Sequence, residues 1–210
     1  MRKRYTTTLF IGIVIVLPAA AWAMINWYGH TFQSLPVIAG RPGSKQEHRI
    51  SDFRLLNQQG EERSITGWNR KIVIADFFFT HCPAICPKMT SNMKRLQQAY
   101  GPGTGVWFAS FTVDPGRDSS LQLKRYAERF ELDLRNWDLL TGDKKELYRL
   151  ARNSFMIVAT DGDGGPGDFI HSDKLVLVDP QQRIRGYYDG TDQDEADRLL
   201  NDIKKLQHEN

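Results

Sequence analysis

Cysteine is scarce in this chain: there are two among 210 residues, Cys82 and Cys86, and both lie in one short turn. Two leave room for at most one internal disulfide, so a disulfide-stapled scaffold is excluded. Acidic residues are missing over a long stretch. None precedes Glu47, whereas Arg2, Lys3 and Arg4 stand at the start. With those three set aside, 25 basic residues face 25 acidic ones, and the basic footprint of a nucleic-acid partner is absent. Internal repeats and low-complexity tracts are lacking too. A length of 210 residues suffices for one domain with a proper core and is too short for two large ones.

One long apolar run is present. Residues 9–25 (LFIGIVIVLPAAAWAMI) carry no charge over 17 positions and follow the basic cluster, which marks a membrane-targeting element. Ala21-Trp22-Ala23 has the small-x-small pattern of a cleavage site. The run nevertheless continues to Ile25, with Trp27 and Tyr28 placed as an interfacial belt, which favours an uncleaved anchor. The basic end should stay cytoplasmic. The expected location is therefore the bacterial inner membrane, with a single N-terminal span and the domain on the periplasmic side. Residues 29–48 hold Pro36, Gly40, Pro42 and Gly43 without apolar periodicity, and read as an extended, mobile tether. The expected organisation is 1–28 anchor or signal peptide, 29–48 tether and 49–208 folded domain.

Within the domain, residues 49–65 give a short hairpin signal around NQQGE. Ile72 to Phe79 then reads as a strand, Lys88 to Tyr100 as a helix with Met89, Met93 and Leu96 on one side, and Val106 to Val113 as a strand. This is a βαβ unit. A helix over 119–130, a strand over 137–140 and a helix over 143–154 continue the alternation. Strands over 174–178 and 184–188 form an antiparallel hairpin, and residues 192–208 supply a terminal helix with Ala196, Leu199, Leu200, Ile203 and Leu206 inward. That order predicts an α/β, thioredoxin-like domain: a central mixed sheet flanked by helices, with an N-terminal β-hairpin extension, behind the transmembrane segment. The cysteines then fall at the carboxyl end of a central strand, where open α/β sheets place their sites.

Cys82 and Cys86 are separated by Pro83-Ala84-Ile85, and each is followed by proline. Proline suits the start of a helix and disfavours helical geometry in the residue before it, so a helix is expected from Pro87 with Cys86 as its cap and Cys82 in the preceding loop. Both sulfurs would sit near a helix N-terminus, whose partial positive charge favours thiolate. In a helix-like turn an i, i+4 pair is about 6 Å apart along the axis, toward the upper end of what a disulfide permits. A disulfide, a redox pair and part of a metal site all remain open. In a thioredoxin-like sheet the loop before the strand KLVLV packs beside this turn, which nominates His171 as a third member. Two thiolates and an imidazole suit copper; zinc accepts the same donors, but a closed structural site needs one more.

FTHCPAICP, FTVDPGRD, the isolated His171 and DKLVLVDPQQRIRGYYDG together resemble the Sco/SenC family of membrane-anchored copper proteins, over about residues 52–203. The resemblance implies a thioredoxin-like metallochaperone that delivers copper for the dinuclear copper centre of cytochrome c oxidase. It implies Cys82, Cys86 and His171 as metal ligands, with Asp114 and Asp118 in their surroundings. The implied partners are the oxidase's copper-bearing subunit and other copper chaperones or thiol-disulfide proteins. Ala84 departs from the pattern, because many members carry an acidic residue there.

As an enzyme the chain would be a thiol-disulfide oxidoreductase, with Cys82 attacking and Cys86 resolving and no need of His171. A thiol peroxidase requires a threonine three residues before its cysteine, whereas Thr80 is two before Cys82. Neighbours in an extended segment point to opposite sides, so His81 is read as an electrostatic neighbour rather than a ligand. Met89 is read as core, and His30, His48 and His208 as solvated. Asp161, Asp163 and Asp168 in DGDGGPGD lack the spacing and final glutamate of a calcium loop and suggest a flexible glycine-rich lid, and Asp118 also reads as a cap of the helix over 119–130.

Overall fold

A computed structural model of the full chain describes residues 12, 14–25, 34–38, 48–158, 165 and 168–209. The chain divides into two compact units, one running from Met1 to Ser34 and the other from Leu35 to His208. In the first, residues 14–25 are helical and leave Val14, Ile15, Val16, Leu17, Trp22, Met24 and Ile25 exposed. Among the described residues no helix is long and apolar enough to cross a membrane. The expected 9–25 anchor lies partly outside them, as do Arg2, Lys3, Arg4, Trp27, Tyr28 and His30.

The second unit carries a five-stranded mixed sheet and a small hairpin. The elements are β1 (Arg54–Leu56), β2 (Glu62–Ser64), a 3-10 turn (Ile65–Trp68), β3 (Ile72–Phe78), α1 (Ile85–Ala99), β4 (Val106–Thr112), α2 (Ser120–Phe130), β5 (Trp137–Leu140), α3 (Lys144–Arg149), β6 (Lys174–Val178), β7 (Ile184–Asp189) and α4 (Gln193–Glu209). The sheet order is β5-β4-β3-β6-β7. β3 is central because its apolar residues are needed on both faces. Ile72, Ile74 and Phe78 join the cluster under α1, α2 and α4, while Val73, Ala75 and Phe77 join the cluster on the other side. β4 runs parallel to β3 through the α1 crossover, with Ile72 opposite Val106, and β6 runs antiparallel, with Ile74 opposite Leu177.

The antiparallel pairing decides where the site lies. β6 begins where β3 ends, so the loop carrying His171 emerges at the pole of the cysteine turn. Gly190 draws this loop to α1: its N–H donates to Asp173 O at 2.7 Å, and its carbonyl accepts from Asn92 Nδ2 at 2.8 Å. A Cβ there would meet both Asp173 O and Met89 Cγ at 3.0 Å, so any side chain would have to push these neighbours back by a few tenths of an ångström.

Both sheet edges are covered. Leu56 of β1 exchanges two backbone bonds with Thr141, and Gln58 bonds Trp137 O and Leu139 N along β5. On the β7 side, Ile38 N–H donates to Ile184 O, while Arg185 donates to the carbonyls of Leu35 and Pro36. This part of the expected tether therefore lies folded on the domain. His48, expected to be solvated, bonds Ser154 O through Nε2 at 2.7 Å; His208 is exposed, as expected.

The expected 143–154 helix splits: α3 is capped by Asp143, whose side chain accepts from Glu146 N–H, and then widens into a π turn over Leu150–Ser154. Leu147, Leu150 and Ala151 still point inward. The glycine-rich segment after it falls mostly outside the described residues, including Asp161 and Asp163. Its far end is tied down. Asp168 makes a two-pronged pair with the buried Arg152, at 2.6 and 2.8 Å, and Lys144 Nζ donates to the carbonyls of Gly165 and Asp168.

Candidate metal centre

After β3 the chain turns at Thr80 and His81 and reaches Cys82, whose N–H donates to Phe79 O at 3.2 Å. The helix then starts earlier than the prolines suggest: α1 begins at Ile85 with Ala84 at its cap, and Cys86 is its second residue. Pro87 is accommodated because the first-turn N–H groups have no intrahelical acceptor anyway. Ala84 offers no side-chain cap, and the sulfur of Cys82 takes that place. It accepts from Cys86 N–H at 3.4 Å, with Ala84 and Ile85 N–H groups also directed at it.

The two sulfurs therefore differ. Partial burial pushes the Cys82 thiol up, but the hydrogen bonds from Cys86, Ala84 and Ile85 outweigh it, and the net shift is downward toward thiolate. Cys86 is only 2% exposed. Burial drives its thiol well above the ordinary range, and the neighbouring Cys82 adds to the rise while the Phe79 N–H opposes it. The expectation that the helix mouth favours both thiolates holds for Cys82 alone. Both cysteines are free.

His171 lies exposed on the loop before β6. Its ring meets Phe79 at a centroid distance of 5.9 Å and Phe169 at 4.8 Å. It lines one hollow of about 340 Å3 together with Ile85, the residue between Ala84 and Cys86. The three expected ligands thus share one pole of the sheet. Among the described residues, however, no group of three His, Cys, Asp or Glu side chains is gathered closely enough to hold a metal ion.

Asp118 lies beneath the turn. It is fully buried and accepts from Thr80 N–H at 3.1 Å and from the hydroxyls of Thr80 and Thr112, fixing the strand end from which the cysteines depart. It does not cap α2; Ser119 does, accepting from Gln122 N–H. Asp114 faces Arg117 at 3.8 Å. His81 Nδ1 is 3.0 Å from Thr80 Oγ1 and 3.9 Å from Asp118, consistent with an electrostatic neighbour, and Met89 is wholly buried in the core.

Two features escaped the sequence reading. Phe79 links both parts of the site, its backbone touching the cysteines and its ring touching His171. Asp76 sits inside β3, 1% exposed, with Oδ1 unpartnered, and burial lifts its carboxyl to about 7 against a bond from Ser110. A lone acid inside the run IVIADFFF was the available signal.

A family model described as SCO1/SenC matches residues 41–208, most of the chain. The chain is a member of the SCO1/SenC family. This SCO1/SenC chain is 33% identical over 159 residues to the SCO1 protein homolog of Bacillus subtilis (strain 168), covering 75% of this chain and 82% of that one. It is similar to the solved structure of BsSco, described as a member of the Sco family of cytochrome c oxidase assembly proteins with a disulfide switch. There the TM-score is 0.67 at 30% identity, covering 83% of this chain and 98% of that one. The structure of yeast Sco1 with copper bound shares the fold, with a TM-score of 0.59 at 24% identity over 75% of this chain and 89% of that one. The mixed sheet flanked by helices is thus the thioredoxin-like fold of this family.

Proposed function

We propose that this chain is a copper metallochaperone for assembly of the dinuclear copper centre of cytochrome c oxidase. In this reading the N-terminal segment holds it at the bacterial inner membrane, with the domain on the outer side. Copper is the cargo. Cys82 and Cys86 supply sulfur and His171 supplies imidazole, a three-donor set that suits Cu(I), with Cu(II) wanting a fourth ligand. The observation that carries the reading is the Cys82 sulfur held at the mouth of α1 by backbone N–H groups, with Cys86 one turn on and His171 across Phe79. The copper of the yeast relative and the assembly role of BsSco support it. Loading displaces the Cys86 proton, and delivery exchanges these ligands for thiolates of the oxidase's copper-bearing subunit.

Copper titration of the full chain tests this. One copper per chain is expected, and Cys82→Ser, Cys86→Ser and His171→Ala should each lose at least about tenfold in affinity, as even losing a partner of a metal ligand does. Stoichiometric binding by the double cysteine variant would overturn it.

The unequal sulfurs favour a second reading, thiol-disulfide exchange with the partner. Cys82 thiolate attacks a partner disulfide, forming a mixed disulfide and releasing one partner thiolate. Cys86 then loses its proton and attacks the Cys82 sulfur, closing the internal disulfide and releasing the second thiolate. Two electrons pass to the partner, and an external dithiol resets the pair. Alkylation separates the sulfurs: Cys82 should react with iodoacetamide below the pH at which free cysteine does, and Cys86 only on unfolding. Equal reactivity of the two would remove this reading.

A further inference from the structure

The His171 ring packs against two aromatic rings, Phe79 and Phe169. Phe79 and Phe169 meet edge to face at 5.2 Å, at an interplanar angle of 85°, and the imidazole packs against both. Phe169 is 43% exposed, so an aromatic ring is kept at the surface beside an exposed histidine. The Phe79 backbone meanwhile serves both cysteines, its carbonyl accepting from Cys82 N–H and its N–H directed at Cys86. A movement of the Phe79 ring is therefore felt at the histidine, while its backbone is held by the Cys82 N–H and the Cys86 thiol. In this arrangement the three donors do not converge.

We propose that Phe79 and Phe169 are positioning residues that park the His171 imidazole beside the cysteine turn, so that the third copper ligand is recruited only when these ring contacts give way. The inference rests on the copper reading of Cys82, Cys86 and His171. Parking lowers the population of the binding-competent arrangement and weakens apparent affinity by that fraction. Each aromatic contact of ordinary strength corresponds to about three- to tenfold.

The test uses the full chain with labelled histidine. In the metal-free protein the His171 ring protons should be displaced by the neighbouring rings, and Phe169→Ala should return them to ordinary positions. In the same variant, apparent affinity in a copper titration should rise about three- to tenfold, and Phe169→Trp should restore both readouts. Phe79→Leu should act in the same direction. A fall in affinity toward that of His171→Ala, or no change, would overturn the inference, as would undisplaced ring protons in the unsubstituted chain. Copper binding indifferent to His171→Ala would sink the copper reading itself; the metal-free ring protons separate that failure from failure of the clamp.

Discussion

On one face of the sheet, Phe53, Trp68, Phe77, Phe111 and Phe155 pack, mostly edge to face, into a single aromatic cluster, with contacting centroids between 5.0 and 6.3 Å apart. The opposite face carries Phe78, Cys86, Met89, Phe108 and Tyr126, and strand alternation places Asp76, Ser110 and Thr112 on that same side. Ser110 accepts from Trp137 Nε1 at 2.9 Å and bonds Asp76, and Tyr126 bonds Thr90 at 2.8 Å. The first face can be read as pure cohesion. The second gives up some burial energy to hold polar groups beneath the cysteine helix, and the site sits at its rim.

Substitutions on the two faces should therefore differ in kind, beginning with the largest expected effect. Phe111→Ala, in the middle of the aromatic cluster, should cost roughly 3–5 kcal/mol in denaturant unfolding at any pH. The fraction that stays folded should bind copper as before; a loss of copper from that folded fraction would break the division between faces.

Asp76→Asn should do the reverse. With its carboxyl lifted from 3.8 to about 7, the folded state keeps a proton that the unfolded chain has lost, so stability falls as pH rises from about 4 to about 7 and then levels off. The variant should abolish that fall and be more stable at pH 8 by up to roughly 4 kcal/mol, with little difference at pH 4. Equal slopes in the two proteins would show that the acid is not held in this way.

Asp118→Ala leaves the Thr80 N–H and two hydroxyls without their acceptor. A loss of about 2–3 kcal/mol is expected, together with weakened copper binding, because the strand end leading to Cys82 is released. Stability lost without any change in copper affinity would confine Asp118 to the core. Ser119→Ala, one residue on, removes only the cap of α2 and should cost about 1 kcal/mol, leaving copper untouched. The contrast between these adjacent positions sharpens where the site's supports end.

The order of elements along the chain, the βαβ unit and the terminal helix were legible because their apolar periods are long. The family was legible because CPAICP, the distant His171 and the surrounding strands occur together. What misled was local. The two prolines placed the helix start at Pro87, and nothing in the residue string says that a sulfur can serve as the cap that Ala84 cannot supply. The π turn after α3 was hidden because Leu147, Leu150 and Ala151 keep their inward spacing while the backbone widens. Docking of Leu35–Ile38 on β7 depends on Arg185, some 150 positions away, and no periodicity reports a pairing at that distance. Phe79 and Phe169 read as ordinary hydrophobics, since only tertiary placement brings their rings together.

The antiparallel seat of β6 against β3 also has an entropic side. In an unfolded chain the two sulfurs are always near neighbours, but His171 is separated from them by a segment whose closure carries a large configurational cost. Once Ile74 faces Leu177, that cost has been met by the sheet, and the imidazole stands at high effective concentration beside the sulfurs. The nascent chain on this account offers copper a two-sulfur grip of ordinary peptide strength. Under the proposed ligand set, the stronger three-ligand grip would arrive only with the last strands, and cargo would be acquired after folding.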